Sequence, residues 1–408
     1  MHSPPVSVVV VSRDRPLALM RCLDGLAQLD YPEFEIVCVA CPRGMAALVE
    51  RGDAANIKHV PFDEPNISAA RNTGITQAAG EIIAFIDDDA VPEPLWLRHL
   101  VSPFAEDDVA ATGGYVIGRN GISFQWKARA TDQTGEATDL DIDDQHPTVL
   151  HPQPGRTIKT EGTNMAVRRN ILASMGGFDP AFRFYLDETD LNQRLADQGL
   201  ATAIVPLAQV HHGFAESARR SHDRTPRDLT EIGASKAVFL RKHCEEKARA
   251  KAWKAFRKAQ RIRLLGFMQS GPLDPVSVLR LMRGLSKGYK DGNERPLSPL
   301  PNLPRAAEGL RPYPARPNAP RHYLTGRVWQ RKALMAKAHT LAAEGAIVTV
   351  CILSPTTRFH RVRFVDGIWL QTGGRFGRST RNMQIARYWR FSARSAFESK
   401  RAYPVRGQ

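Results

Sequence analysis

The stretch Glu81–Pro94, EIIAFIDDDAVPEP, decides the fold class. It begins with an apolar run that is typical of a short strand buried on both faces of a parallel sheet. Three consecutive carboxylates, Asp87, Asp88 and Asp89, end that strand. Ligands bind at the carboxyl ends of strands in open α/β sheets, and adjacent like charges need a cation or several donors nearby. The alternative is an acidic turn before a helix; the buried strand in front favours a binding site.

Short apolar runs alternate with helical patterns up to this strand. Strands are predicted at 6–11, 34–40 and 59–60, and helices from Pro16, over 45–50 and over 67–79, the last with Asn66 as its N-cap. Strands that alternate with helices form βαβ units, whose strands lie parallel in one sheet. The predicted fold class is therefore α/β, with a mostly parallel sheet flanked by helices.

The chain beyond Pro94 continues this alternation and adds a second acidic cluster. A helix is predicted over 94–104, a strand over 109–117, a helix over 169–175 and a strand over 203–206 that leads to His211 and His212. Residues 132–154 are acidic and weakly apolar, which indicates a mobile loop over the site. The carboxylates of DETDL, Asp187–Leu191, fall in the first turn of a helix that ends at Gly199.

The charge of the chain is unevenly distributed. The 408 residues carry a formal net charge of +15, and 42% of them are hydrophobic, as in a globular chain with a real core. Residues 1–220 hold 19 Lys and Arg against 30 Asp and Glu, whereas residues 221–408 hold 38 against 12. The acidic half is suited to gathering metal ions, and the basic half to meeting an anionic surface.

Cysteine usage and the apolar runs bear on the compartment. The five cysteines are irregularly spaced, which favours a reducing environment, and Cys38 and Cys41 lack the partners of a zinc site. Met1–Pro5 lacks the basic segment of a signal peptide, and no apolar run is long enough to span a bilayer. We therefore expect a cytoplasmic protein, either soluble or peripheral on the inner face of the plasma membrane.

The sequence divides into four predicted parts. Residues 1–231 form the α/β domain, 232–295 a basic helical extension, and 296–320, with eight prolines, an extended linker. Residues 321–408 are predicted to form a small α+β domain, to which the sequence assigns no role. Its predicted elements are a helix over 328–343, a strand over 346–353, a type I′ hairpin turn at Asp366-Gly367 and a final helix over 383–397.

Two carboxylate clusters, at 87–89 and 187–190, lie about a hundred residues apart. A reaction that expels a diphosphate and deprotonates a hydroxyl needs two such groups. One cluster holds Mg²⁺ or Mn²⁺ against the leaving phosphates, and the other keeps a carboxylate as the general base for an incoming alcohol. The alternative for the second cluster is a solvated helix N-terminus, where the helix dipole favours carboxylates.

Several motifs in this order resemble the family-2 glycosyltransferases of the GT-A fold, over about residues 5–290. They are VSVVVVSRDRPLALMRCLDGL at 6–26, NISAARNTGITQAAGEIIAFIDDDAVPEPLWL at 66–97, EGTNMAVRRNILASMGGFDPAFRFYLDETDLNQRL at 161–195 and LMRGLSKGYKDGNER at 281–295. The resemblance implies an inverting transferase of the hexosyltransferase type. Such an enzyme moves a sugar from a nucleotide-sugar donor to a hydroxyl of a glycan, a lipid-linked acceptor or an envelope polysaccharide, with Mn²⁺ or Mg²⁺ as cofactor.

The resemblance implies a metal site at the aspartate triplet. Asp87 and Asp89 form its Asp-x-Asp motif, with Asp89 as the direct ligand, and Asp88 supports the ribose or the diphosphate. His211 or His212 lies where some relatives place a third metal ligand, and we predict His211. A packing role for the paired histidines is the alternative.

The resemblance also implies the substrate contacts. Ser12 and Arg15 lie where the first loop of the family meets the base and the ribose, and Arg71 touches the nucleotide. Thr163 and Asn164 line the acceptor side.

The resemblance implies Glu188 as the general base. The family usually reads Glu-Asp-x-Asp-Leu-x-x-Arg, with the second acid as base, whereas this chain reads Asp187-Glu188-Thr189-Asp190-Leu191 before Arg194. Because a misplacement of about 1 Å costs on the order of a hundredfold in rate, the longer side chain leaves Asp187 as the alternative base. Asp187, Asp190 and Arg194 share one helix face and are also candidates for a structural ion-pair network.

A second departure from the family concerns the donor. The second strand of the family often ends in an acid that holds the nucleotide, and here it ends at Ala40 without one. The resemblance therefore does not imply uridine.

Two other functions fit parts of the sequence. A sugar nucleotidyltransferase shares the sheet and the metal acids, but needs a Gly-rich loop that 12–16 lacks. A catalytically degenerate scaffold that binds glycan or membrane is suggested only by Glu188 in place of Asp. The basic residues 232–295 are expected to meet an anionic membrane surface, and no signature of nucleic-acid binding is visible.

Overall fold

The computed structural model describes residues 3–213, 216–314 and 316–407. Its strands, in chain order, are β1 (Val6–Ser12), β2 (Phe34–Ala40), β3 (Ile57–Pro61), β4 (Ile82–Asp87), β5 (Ala90–Pro92), β6 (Val109–Ile117), β7 (Phe124–Trp126), β8 (Arg129–Thr131), β9 (Ala137–Asp139), β10 (Thr148–Leu150), β11 (Thr157–Lys159), β12 (Met165–Arg168), β13 (Ala201–His212), β14 (Arg321–Arg327), β15 (Ile347–Ser354), β16 (Arg361–Val365) and β17 (Ile368–Gly374).

The helices lie between and after these strands. They are α1 (Pro16–Leu26), α2 (Pro42–Val49), α3 (Ile67–Gln77), α4 (Trp96–Val101), α5 (Arg169–Ser174), α6 (Asp187–Asp197), α7 (Thr230–His243), α8 (Glu246–Gln269), α9 (Pro275–Glu294), α10 (Arg331–Ala343) and α11 (Phe391–Arg406). Short 3₁₀ segments cover Ala54–Asn56, Ser102–Ala105 and Val328–Gln330.

The central sheet runs in the order β10-β13-β6-β12-β4-β1-β2-β3. β3, β2, β1 and β4 are parallel, and β12 is antiparallel to its neighbours β4 and β6. Ser12 pairs with Ala40, and Val11 pairs with Asp87, so the carboxyl ends of β1, β2 and β4 meet at one edge. The predicted sheet, mostly parallel and flanked by helices, is confirmed.

β4, the strand within the stretch Glu81–Pro94, is buried on both faces. Ile82, Ala84 and Ile86 enter the apolar core on the side of α1 and α4, and Ile83 and Phe85 enter the core on the side of α3, α5 and α6. Burying an aliphatic side chain stabilises a fold by about 1.5 to 3 kcal/mol, so both faces hold this strand firmly. Its end, which carries the aspartates, is therefore a rigid base for a site.

The acidic segment 132–154 contains two short strands. β10 extends the central sheet beside β13, and β9 lies at the edge of a small three-stranded sheet of order β11-β8-β9. Parts of the segment are thus tied to the fold by strand pairing, and its predicted mobility stays a prediction.

Three helices follow the α/β domain, where the sequence predicts a basic helical extension. α7 and α9 pack closely, and the side chains of Phe256, Leu264, Leu281 and Leu285 form a small core between α8 and α9. Within the described residues, no helix is both long enough and apolar enough to cross a membrane.

Residues 296–314, which we call the strap, lie extended along the α/β domain. The amide of Leu303 donates to Ala173 O at 3.0 Å, and that of Tyr313 donates to Phe34 O at 2.8 Å. The Arg311 amide donates to Glu35 Oε2 at 2.8 Å. Because these bonds repeat along the segment, the strap is part of the wall of the domain and not a free linker.

The C-terminal part forms a four-stranded sheet of order β14-β15-β17-β16, with α10 and α11 packed beside it. Asp366 and Gly367 have φ angles of 49° and 74°, the left-handed values that the predicted type I′ turn requires. The final helix lies further on than predicted, at Phe391–Arg406 instead of 383–397. The reason is that Gly377 pairs with Ala386, which holds the preceding segment in a loop.

Candidate active site

The aspartate triplet begins with the last residue of β4, Asp87, at the edge where the ends of β1 and β4 meet. Asp88 is fully buried and accepts a hydrogen bond of 2.7 Å from Ser12 Oγ. Arg15, at the N-cap of α1, lies 2.5 Å from Asp88 Oδ1 and 3.2 Å from Asp89 Oδ2. Ser12 and Arg15, both predicted on the donor side, therefore contact the triplet directly.

Asp87, Asp89 and His212 place ligand atoms within 4.8 Å of one another. β13 is longer than predicted and runs on to His212, which pairs with Ala90 of β5 just after the triplet. His212 Nε2 lies 3.1 Å from Asp89 Oδ1. Burial alone raises the pKa of Asp89, but His212 and the neighbouring arginines hold it well below its usual range.

This cluster has the ligand chemistry of a divalent metal site. Carboxylate oxygens suit Mg²⁺ and Mn²⁺, and an imidazole suits transition metals. Arg15 and Arg220 both lie 3.2 Å from Asp89 Oδ2, so the buried carboxylate attracts positive charge from two sides. The residues present therefore fit a divalent cation.

His211 lies outside the cluster. Its Nε2 atom is 2.7 Å from Glu93 Oε1, and its ring packs against that of Trp369 with 5.0 Å between centroids. Successive side chains of a strand point to opposite faces, so one of the paired histidines faces Asp89 and the other turns away. The structure therefore places His212, and not the predicted His211, beside Asp87 and Asp89, and metal ligation by either histidine stays a prediction.

Arg71 joins the two acidic clusters. Its buried guanidinium pairs with Asp187 at the start of α6, lies 3.3 Å from Asp87 Oδ1 and donates to Gly162 O at 3.0 Å. A Cβ atom at residue 162 would lie 2.6 Å from Arg71 Nη2, so glycine makes room for this contact. Leu186, with a left-handed φ of 64°, turns the chain into α6. The predicted nucleotide contact of Arg71 stays a prediction.

Glu188 faces Lys159. Its Oε1 atom lies 2.6 Å from Lys159 Nζ and accepts a hydrogen bond of 3.0 Å from Thr189 Oγ1. Burial raises the pKa of Glu188, but the Lys159 ammonium outweighs this and lowers it to about 2. Glu188 is therefore a carboxylate whose orientation is held by the ammonium of Lys159.

Asp187 has the opposite character. Burial raises its pKa to about 7, against the influence of Arg71. Its side chain is 5% exposed, compared with 15% for Glu188. Glu188 is therefore the more exposed of the two carboxylates, and Asp187 has the higher pKa.

Asp190 belongs to the structural framework. It is fully buried and pairs with Arg194 (2.9 Å), Lys242 (2.7 Å) and His243 (2.8 Å), so it ties α6 to α7. The sequence suggests an ion-pair network of Asp187, Asp190 and Arg194 on one face of α6. In the structure Asp190 and Arg194 pair with each other, and Asp187 pairs with Arg71.

The predicted acceptor residues are buried. Asn164 Nδ2 donates to Tyr115 O at 2.9 Å and Ala208 O at 2.8 Å, and its Oδ1 accepts from Trp96 Nε1 at 2.7 Å. The fold thus engages both ends of this amide, and the predicted acceptor contact of Asn164 stays a prediction. Thr163 is 3% exposed, and its Oγ1 has no partner within the described residues.

Several residues of the site escaped sequence analysis. Arg220 contacts Asp89, the Trp126 ring packs 5.9 Å from that of His212, and Lys159 orients Glu188. None lies in a recognised motif, and single basic or aromatic residues give no signal by themselves. Lys159 lies two residues before Glu161, where the third motif begins, and the sequence gives no sign of its contact with Glu188.

A family model described as "Glycosyltransferase like family 2" matches residues 4–229, which hold all of these side chains except Trp369, Lys242 and His243. The chain belongs to glycosyltransferase family 2. The resemblance seen in its motifs is thereby confirmed, and so is the GT-A fold class that it implies.

Curated relatives of this family-2 chain include a biosynthesis protein and a glycosyltransferase. The O-antigen biosynthesis protein RfbC of Myxococcus xanthus is 31% identical over 244 residues, which cover 55% of this chain and 18% of that protein. The pre-mycofactocin glycosyltransferase of Mycobacterium tuberculosis is 26% identical over 223 residues, covering 52% and 44%. The chain thus spans less than half the length of these relatives.

Solved structures similar to this family-2 chain share little sequence with it. The mannosyltransferase PcManGT from Pyrobaculum calidifontis, in complex with GDP-Man and Mn²⁺, is 15% identical and has a TM-score of 0.43, covering 72% of this chain and 88% of that one. GalNAc-T7 with UDP, GalNAc and Mn²⁺ is 16% identical, with a TM-score of 0.45 and coverages of 59% and 48%.

Proposed function

We propose that the chain is a metal-dependent, inverting glycosyltransferase that moves a sugar from a nucleotide-sugar donor to a hydroxyl of a glycan or lipid-linked acceptor. One observation carries the proposal: Arg71 forms ion pairs with both Asp87 and Asp187. It thereby holds the candidate metal cluster next to the candidate general bases, Asp187 and Glu188. Family membership supports the reaction class.

Asp87, Asp89 and His212 would hold the metal, for which we propose Mn²⁺, because an imidazole beside carboxylates suits Mn²⁺ better than Mg²⁺. When bound, such a metal neutralises charge that develops on a departing nucleoside diphosphate. Arg15 and Arg220 add positive charge on the same side and bind the phosphates with it.

Glu188 acts as the general base in this proposal. The acceptor hydroxyl gives its proton to Glu188 while its oxygen forms a bond to the anomeric carbon. The bond from that carbon to the diphosphate oxygen breaks on the opposite face, so the configuration inverts. Lys159 holds the Glu188 carboxylate in place, and Asp187 holds Arg71. The better exposure of Glu188 supports this assignment.

The nucleotide base of the donor lies, in this proposal, beside the ends of β1, β2 and β3. β2 ends at Ala40 without an acid, but Asp63 follows β3 and its Oδ1 lies 3.2 Å from Arg13 Nε. We propose that Arg13 and Asp63 contact the base in place of the missing acid.

The proposal is tested by donor turnover. Purified protein is incubated with Mn²⁺ and a panel of UDP-, GDP- and dTDP-sugars, and the released nucleoside diphosphate is measured for the wild type and for Asp89→Ala. We expect turnover of at least one donor, abolished by the substitution. No turnover of any donor, together with no metal-dependent nucleotide binding, contradicts the proposal. Formation of a nucleotide-sugar from a nucleoside triphosphate and a sugar phosphate supports the nucleotidyltransferase instead.

We further propose that an anionic lipid surface brings the enzyme to its acceptor through α8. This helix carries eight Lys and Arg against one acid. Five of them recur every three or four residues on one exposed face: Lys247, Lys251, Lys254, Lys258 and Arg261. The exposed apolar side chains Ile262 of α8 and Val276 and Leu279 of α9 are 60%, 74% and 57% accessible. Basic faces with apolar residues bind anionic bilayers.

Co-sedimentation with liposomes tests this surface. We expect binding to vesicles with anionic phosphatidylglycerol, loss of binding in high salt, and none to neutral phosphatidylcholine. The variant Lys251→Glu/Lys254→Glu/Lys258→Glu should lose binding. The control Arg331→Glu/Lys332→Glu/Lys337→Glu makes the same charge change on α10 and should retain it. Equal loss in both variants would show non-specific attraction, and negligible binding of the wild type to both vesicles rules the surface out.

A further inference from the structure

A buried ion pair joins the C-terminal four-stranded domain to the α/β domain. Arg406 Nε donates to Glu93 Oε2, and Arg406 Nη2 donates to Glu93 Oε1, both at 2.7 Å. The two residues are only 4% and 2% exposed. A bidentate pair between arginine and carboxylate fixes direction as well as distance, so this contact sets where Glu93 lies.

Glu93 belongs to the segment that brings the candidate metal ligands together. It directly follows β5, and its amide donates to Gln209 O of β13 at 3.0 Å. β5 itself leaves the aspartate triplet and pairs with the end of β13, where Ala90 lies opposite His212. The short β5–β13 pair therefore decides how Asp89 and His212 face each other.

The C-terminal domain also holds the other histidine of β13. The ring of His211 packs on that of Trp369, which is fully buried, and its Nε2 atom lies 2.7 Å from Glu93. The guanidinium of Arg406 lies over the same indole ring, 4.3 Å from its centroid. His211, Glu93, Arg406 and Trp369 thus form one packed group directly behind His212.

We infer that the C-terminal domain positions the metal site: Arg406 and Trp369 hold the β5–β13 pair so that Asp89 and His212 converge on one cation. The domain contributes no ligand to the cluster of Asp87, Asp89 and His212 and acts through Glu93 and His211. Groups that hydrogen-bond metal ligands typically change metal affinity by about 10- to 100-fold when they are replaced, and Glu93 and Arg406 lie one residue beyond such groups, so we expect the lower end of that range. The inference rests on the proposed function only in taking this cluster as the metal site.

Direct Mn²⁺ binding tests the inference without relying on turnover. Full-length protein is titrated with Mn²⁺ alone, and free Mn²⁺ is followed by its electron paramagnetic resonance signal; Tm is measured for each variant. Arg406→Gln and Glu93→Gln should each weaken Mn²⁺ binding by about tenfold or more. Arg321→Gln is the matched control, because Arg321 forms another ion pair across the same interface, with Asp30, and neither residue belongs to β5, to β13 or to the Arg406–Glu93 pair. It should lower Tm while leaving the Kd for Mn²⁺ within about twofold of the wild type.

The outcomes separate the explanations. Unchanged Mn²⁺ affinity in Arg406→Gln and Glu93→Gln overturns the inference, and so does an equal loss in Arg321→Gln, since the interface then acts only on overall stability. If Arg406→Gln does not fold, Arg406→Lys is used instead, because lysine keeps the positive charge but cannot form the bidentate pair. A higher Kd for Mn²⁺ in Arg406→Lys supports the inference, and an unchanged Kd contradicts it. Absence of Mn²⁺ binding by the wild type instead contradicts the metal site of the proposed function.

Discussion

Lys159 Nζ lies 2.6 Å from Glu188 Oε1, across the gap between the end of β11 and the first turn of α6. This contact has two opposed effects on a general base. It holds the carboxylate in one orientation, which favours proton transfer, and it lowers the pKa of Glu188 to about 2, which weakens the carboxylate as a proton acceptor. The pH dependence of the reaction therefore reports on which acid is the base.

With Glu188 as the base, kcat/KM at saturating Mn²⁺ should be flat between about pH 5.5 and 8. A base must be deprotonated, so activity falls as pH drops through its pKa, and Glu188 stays ionised far below this range. With Asp187 as the base, kcat/KM should instead fall about tenfold for each pH unit below about 7, because burial raises its pKa to about 7.

Amide substitutions at these two acids provide an independent check. Glu188→Gln should lower kcat by a factor on the order of 10² to 10⁴, the usual contribution of general acid–base catalysis. Asp187→Asn should mainly raise KM for the donor, because it releases Arg71 from its position. Full transfer activity in Glu188→Gln, with loss of kcat in Asp187→Asn, would assign the base to Asp187.

Replacing Lys159 should move the acidic limb of the pH profile. Lys159→Gln removes the cation that depresses the pKa of Glu188, so that pKa rises. With Glu188 as the base, the fall in kcat/KM then begins at a higher pH than in the wild type. An acidic limb that does not move would show that Glu188 does not take the proton.

His212 and His211 should differ in their effect on metal binding. His212→Ala removes a candidate ligand and should weaken Mn²⁺ binding by more than tenfold, measured by electron paramagnetic resonance. His211→Ala should have the smaller effect, since His211 contacts Glu93 instead. His59→Ala, an exposed histidine on β3, serves as the control. A larger loss in His211→Ala than in His212→Ala would return the ligand role to His211.

Asp190→Asn should destabilise the fold while leaving the site chemistry in place. The change leaves Arg194, Lys242 and His243 without their shared carboxylate, which costs about 3 kcal/mol in the free energy of unfolding, measured by urea denaturation. Burial raises the pKa of Asp190, but His243 and Arg194 outweigh it and depress the folded-state value.

The pH dependence of that difference follows from the sign of the shift. A depressed folded-state pKa stabilises the protein above the unfolded value, which is about 3.9, and this stabilisation is lost as pH falls through the folded pKa. The gap in stability between wild type and Asp190→Asn should therefore be full at neutral pH and shrink below about pH 4. A gap that is independent of pH would assign the effect to packing.

The sequence predicted those features that depend on local pattern. β4 is apolar on both faces and ends in acids, so its burial and its place at a site edge follow from the residues themselves. The turn at Asp366-Gly367 follows in the same way, because its left-handed conformation favours Gly and Asn or Asp. The family and its fold followed from the order of the motifs.

What the sequence could not predict depends on contacts between distant segments. Which histidine faces Asp89 is decided by the register of β13 against β5, and adjacent histidines look alike in a sequence. The sequence places Asn164 on the acceptor side, but it does not show that the side-chain amide hydrogen-bonds to Tyr115 of β6, Ala208 of β13 and Trp96 of α4. α11 begins later than its helical pattern because a loop contact near Gly377 competes for the preceding residues.

The path of the strap has a consequence for how this chain can be divided. Residues 296–314 connect α9 to β14 and form hydrogen bonds with residues of β2 and α5 on the way. The connection to the C-terminal domain is therefore also a packed part of the α/β domain. The chain therefore cannot be divided into interchangeable parts at the proline-rich stretch. A graft or truncation that keeps the α/β domain must keep these residues as well, because Tyr313 and Leu303 pack against its two apolar cores and their removal would expose those surfaces.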